Sequence, residues 1–227
     1  MSSCKRIFRI YKDHFAIALG MGIASALLGN LLHDLIVRFV PDDEMTVFPF
    51  GTLMVLFMSV LAMFLLSLFG AGIFHPLVSM GESRHTFFSD LFVSSALIFL
   101  GEELLAMLCY RFEKMKFHRM FPGLEESGDF SFLFSPLFCA LYFAVGVCLT
   151  LLVQALILRY EKTALGILWI LWLGGTLLFS KFLDALIDWY ETVKDTMIPL
   201  LGLSGVMLIC IVSFLVARRM ILRQQVK

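Results

Sequence analysis

Residues 137–158 read LFCALYFAVGVCLTLLVQALIL, an unbroken apolar run without a single charge. A helix rises ~1.5 Å per residue, so a run of this length covers the ~30 Å hydrocarbon core of a bilayer. The run is continuous rather than alternating and is too long for a barrel strand. It therefore predicts a membrane-crossing helix, whose backbone groups are satisfied within the segment itself. Working outward, the same criterion selects five more segments: Phe15 to Val37, Thr52 to Phe74, Leu91 to Cys109, Ala164 to Ser180 and Met197 to Ala217.

Composition agrees with this reading. Of 227 residues, 60% are hydrophobic and 16% charged, and mean hydropathy is +0.91. Ordinary globular chains carry ~25% charged residues, and a soluble domain of this size has too little interior to hide so much apolar surface. The expected fold class is all-α, a polytopic membrane protein with six transmembrane helices. A soluble enzyme, a disordered chain and a disulfide-stapled secreted domain are excluded.

Zero net charge conceals a strong asymmetry. With the N-terminus cytoplasmic, the inner segments carry Lys5, Arg6, Arg9, Lys12, Arg84, Arg159, Lys162, Arg218, Arg219, Arg223 and Lys227, against Asp13, Glu82, Asp90 and Glu161. The other seven basic and fourteen acidic residues fall outside. Lys and Arg set orientation, so both termini are expected in the cytoplasm. Ala24-Ser25-Ala26 resembles a signal-peptide processing site, but the apolar run continues through Leu32, and an uncleaved first span is expected.

The chain divides as a single transmembrane domain over 1–227. Residues 1–14 form an interfacial helix, 15–75 spans one and two, 76–90 a cytoplasmic loop, 91–217 spans three to six, and 218–227 a basic cytoplasmic tail. In the first segment Ile7, Phe8, Tyr11, His14 and Phe15 share a helical face suited to the inner leaflet. Ala18, Gly22, Ala26 and Gly29 offer small residues for close helix packing. Residues 110–136, rich in Phe and charge, are expected as an outer loop. Residues 181–195 are expected as an amphipathic outer helix. The cysteines at 4, 109, 139, 148 and 210 show no paired spacing and are read as small packing residues.

The inner loop is the most informative connection. Pro76 is expected to interrupt the preceding helix and Gly81 to permit a sharp turn. Ser83 is expected to cap a short helix presenting Arg84, Phe87 and Phe88, residue types favoured as anchors at protein interfaces.

Met80-Gly81-Glu82-Ser83-Arg84-His85-Thr86-Phe87-Phe88 resembles the corresponding segment of type-2 ABC transporter permeases, as do the interfacial helix, the six spans and the amphipathic material between spans five and six. Glu82 departs from that pattern, which more often has an apolar residue there. The resemblance implies that residues 77–89 form a coupling helix, with Gly81, Ser83, Arg84, Phe87 and Phe88 contacting a separate ABC ATPase subunit. It also implies a second permease subunit, identical or related, and alternating access in a bacterial cytoplasmic membrane. A hydrophobic or amphipathic cargo such as an antimicrobial peptide is the expected substrate. No G-x-x-x-x-G-K-S/T occurs, so ATP and Mg²⁺ belong to the partner and this chain carries no cofactor.

Glu102 and Glu103 are the sharpest chemical feature within a span. Intramembrane acids face a partner or a polar cavity. They either line a path and pair with His33, Arg38 or Lys181, or lie in a short span that lets both reach the outer headgroups. The pair is also similar to that of intramembrane CAAX-type proteases. However, position 107 is Met where that family has Arg, and the only later histidine is His118. No catalytic residue and no metal ligand set is assigned, and nucleic acid is not an expected partner. A non-transporting bundle, serving bacteriocin immunity or sensing, is the alternative to a permease, and the protease is the third reading.

Overall fold

The computed structural model describes residues 3–39, 49–120, 133–193 and 198–224. Within these, the side chains of 3–6, 8, 36–37, 39, 120, 162, 171–172, 175–193 and 198–202 are outside the description. Among the described residues five α-helices follow one another: α1 (Ser3–Phe39), α2 (Phe50–Ser79), α3 (Arg84–Met120), α4 (Pro136–Val193) and α5 (Ile198–Arg223). No strand occurs among the described residues. Each helix contains a stretch long and apolar enough to cross a membrane, namely Arg9–Leu35, Phe50–Ser79, Arg84–Arg119, Pro136–Glu161 and Leu203–Arg223. The chain is thus an all-helical, multi-pass membrane protein. The fifth expected span, Ala164 to Ser180, has a helical backbone in α4, but many of its side chains lie outside the described residues.

Polarity is distributed as lipid requires. Leu19, Leu27 and Leu31 of α1 face outward, with Leu27 67% exposed, while Ser25 and His33 on the same helix are buried. In α2 the buried side includes Thr52, Ser59 and Ser67, and in α4 Thr150 and Gln154. Water would favour the opposite arrangement, whereas a bilayer accepts outward leucines and drives polar groups inward.

Three local expectations are corrected. The interfacial helix is not separate: α1 runs unbroken for 37 residues, because no proline or glycine precedes Gly20. The face carrying Ile7, Tyr11 and His14 is buried against the bundle rather than laid on a leaflet. Pro76 does not interrupt α2, which continues to Ser79; the Pro76 carbonyl still accepts the Met80 N–H at 3.1 Å. Residues 110–120 are not loop but the last three turns of α3, while 121–132 lie outside the described residues.

α2 is central, packing against α1, α3 and α4. Small residues set the closest approach. A Cβ on Gly29 of α1 would stand 2.5 Å from the Cα of Gly51, so the two backbones meet there. α4 begins at a Ser-Pro pair: Ser135 Oγ accepts the Phe138 N–H at 3.3 Å and Pro136 occupies the first helical position. It breaks at Glu161, whose φ of 49° and ψ of −124° leave helical space, between the expected fourth and fifth spans.

Candidate functional site

The link between α2 and α3 is a tight turn built from two capping motifs. Gly81, at φ 90°, donates its N–H to the Val78 carbonyl, and Glu82 donates to Leu77, both at 3.1 Å. This is the paired 5→2 and 6→1 pattern that ends a helix at a left-handed glycine. Ser83 then opens α3: its Oγ accepts the Thr86 N–H at 3.1 Å and pairs with the Thr86 hydroxyl at 2.7 Å. The cap was legible in the sequence, but it starts a 37-residue helix rather than a short one.

Only the tip of this turn is available from outside. Met80 is 82% exposed, and Gly81, Ser83 and His85 are also exposed. Phe87 and Phe88 are turned inward, which corrects their expected role as presented docking contacts. Phe87 stacks edge-on against Phe74 of α2 with ring centroids 5.0 Å apart, and Phe88 meets Phe214 of α5 at 5.5 Å. Arg84 reaches across to α5, where its Nη1 donates to the Leu222 carbonyl at 3.2 Å. The tip is therefore braced against α2 and α5 by two aromatic contacts and one charge-assisted hydrogen bond.

Glu102 lies midway along α3, ~27 Å from either end by helix rise, and is buried. α3 continues for three further turns of charged sequence beyond Cys109, so the helix does not end near the acidic pair. A Cβ on Gly22 would stand 2.7 Å from Glu102 Oε2, so α1 packs directly on the carboxyl. Oε2 has no hydrogen-bond partner among the described residues. Tyr142 of α4 is within electrostatic reach of both Glu102 and Glu103, and its hydroxyl pairs with Ser59 of α2. Four helices thus contribute Gly22, Ser59, Glu102 and Tyr142 to one polar seam.

Two of the partners expected for this pair, His33 and Arg38, are engaged or exposed elsewhere. His33 Nδ1 lies 3.6 Å from Asp34, and Asp34 pairs with Lys116. Arg38 is exposed in the last turn of α1, and the Lys181 side chain is outside the described residues. At this same end Glu113 accepts the Gly51 and Thr52 N–H groups at 2.5 and 3.0 Å and the Thr52 hydroxyl at 2.6 Å. Cys109 and Cys139 are free thiols. No group of three His, Cys, Asp or Glu side chains converges on a metal position among the described residues.

Tyr142, Ser59 and Gln154 were not singled out from the sequence. A glutamine inside a 22-residue apolar run was a usable signal, because an amide in hydrocarbon needs a reason to be there. No family model matches the chain, and neither a curated protein nor a solved structure matches it. The class is defined by the fold alone: an all-helical multi-pass membrane protein with a polar seam and an exposed, braced turn.

Proposed function

We propose that this chain is the membrane-spanning permease subunit of a bacterial ABC exporter. It has six spans, both termini are in the cytoplasm, and a separate ATPase grips the turn at Met80–Ser83. The bracing of that turn carries the reading. A force applied at Met80 and Gly81 passes through Phe87 to α2, and through Arg84 and Phe88 to α5, so one contact moves several spans together. Gly81 and Ser83 are contact residues, Arg84 is a brace, and Phe87 and Phe88 transmit force rather than touch the partner.

ATP and Mg²⁺ bind the partner, and their turnover closes it against the turn. A second permease copy completes the pathway, and rocking between the copies gives alternating access. The seam around Glu102 faces a hydrophobic or amphipathic cargo, because buried acids within spans mark substrate or ion paths.

The first test is whether a neighbouring gene encodes a Walker-motif ATPase, and the second is reconstitution of that ATPase with the chain in liposomes. The chain should stimulate ATP hydrolysis, and Met80→Asp should abolish stimulation while leaving the permease folded. Equal stimulation by Met80→Asp would remove the turn from the interface. Protection of cells by this chain alone, with no ATPase, would instead support an immunity or sensor bundle.

A further inference from the structure

A second polar cluster lies apart from the Glu102 seam, toward the end of the bundle that carries the turn. His14 of α1 is 7% exposed, and both of its ring nitrogens lack a hydrogen-bond partner among the described residues. Gln154 of α4 is fully buried, and its amide oxygen and nitrogen are likewise unpartnered. Both side chains line one interior cavity of about 10 Å³, together with Ser94, Ser95 and Thr150. The hydroxyls of Ser94 and Thr150 donate to carbonyls of their own helices, Leu91 at 3.0 Å and Gly146 at 2.8 Å. Their lone pairs remain as acceptors.

The arrangement sets both the size and the chemistry of an occupant. A buried amide or imidazole without a partner loses its hydration with nothing in return. A cavity of ~10–15 Å³ holds one water and nothing larger. Water both donates and accepts, and so matches a neutral imidazole, which offers one donor and one acceptor, and a carboxamide, which offers both. The remaining lining is neutral hydroxyl and hydrocarbon, without a carboxylate to favour a cation.

We propose that a single structural water binds here, bridging His14 of α1 and Gln154 of α4. The site ties the N-terminal half of α1 to α4 by hydrogen bonds, where Gly70 of α2 leaves room for the Gln154 amide to lie against its backbone. It is independent of the transporter reading, because it concerns the bundle's cohesion alone.

The test is a double-substitution cycle on the full chain in detergent, followed by thermal unfolding with intrinsic tryptophan fluorescence. If water bridges the pair, Gln154→Met and His14→Leu each strand the remaining partner and lower Tm by about 3 °C. The double variant then recovers part of that loss. If the cavity is dry, each single change removes an unsatisfied polar group and raises Tm, and the two gains add. That outcome overturns the proposal. A structure of the unsubstituted protein at a resolution that orders solvent provides an independent check: a peak within ~3.2 Å of both the His14 ring and the Gln154 amide supports the site, and its absence overturns it.

Discussion

Glu113 illustrates how one side chain can replace a missing cap. The residue before α2 is Pro49, which supplies no side-chain hydrogen bond. The free N–H groups of the first turn are met instead by a carboxylate from α3, placed at the positive end of the α2 dipole. Hydrogen bonds to charged groups contribute ~1.5–3 kcal/mol each. Glu113→Leu is therefore expected to destabilise the bundle by ~3 kcal/mol or more, read as a fall in Tm in detergent; an unchanged Tm would show that water can take its place. Glu102 should behave in the opposite sense. Its buried, unpartnered Oε2 contributes no hydrogen bond among the described residues, so Glu102→Leu is expected to raise Tm. If Glu102 lines the path, the same variant loses export in the reconstituted system. Full export with a raised Tm would reduce it to a packing residue. The acidic pair was legible as unusual from the sequence. Which neighbours it met was not, because Gly22, Ser59 and Tyr142 come from three other helices.

At the scale of elements, two backbone positions set where helices end. Gly81 occupies the left-handed region that closes α2, and a Cβ there meets no neighbouring atom, so the effect of substitution is purely conformational. Gly81→Ala should cost ~1–2 kcal/mol. Hydrogen exchange should show it as earlier opening of the amides of residues 78–86 than of the rest of the bundle. Glu161 holds a conformation natural to glycine at the break in α4. Glu161→Gly is expected to stabilise the bundle by ~1 kcal/mol by relieving that strain, and a lower Tm would mean that the Glu161 side chain contributes more than its backbone costs. Helix ends were only partly legible in the sequence. Ser83 was identified as a cap and Gly81 as a turn residue because both act through local hydrogen bonds. The continuation of α2 past Pro76 and of α3 to Met120 was not foreseen, because charged residues beyond a membrane span look like loop until they are seen to continue its helix.

For the whole molecule, the arrangement of ends yields a topology test. The turn at Met80, the start of α1 and the end of α5 gather at one end of the bundle through Ile7, Phe87 and Ile221, while Asp34, Lys116 and Glu113 lie at the other. In a cysteine-free background, Met80→Cys should react with an impermeant maleimide only from the cytoplasmic side, and Lys116→Cys only from the opposite side. The reversed pattern would overturn the orientation drawn from the basic residues, and labelling of both from one side would overturn the crossing of α3 between them.

The sequence by itself determined that the chain is helical, that it is a multi-pass membrane protein, and roughly where five apolar helices lie. Span length and hydropathy are local quantities, and the solvent acts on each segment separately. It also placed the α2–α3 turn and its cap, which depend on neighbours a few residues away. Only the tertiary structure decided that Phe87 and Phe88 point inward, that Glu113 caps a foreign helix, and that His14 and Gln154 share a cavity. Those outcomes depend on which faces of separate helices meet, and in lipid that choice rests on close packing and interior polar contacts rather than on hydrophobicity, which is nearly uniform around α2 and α3.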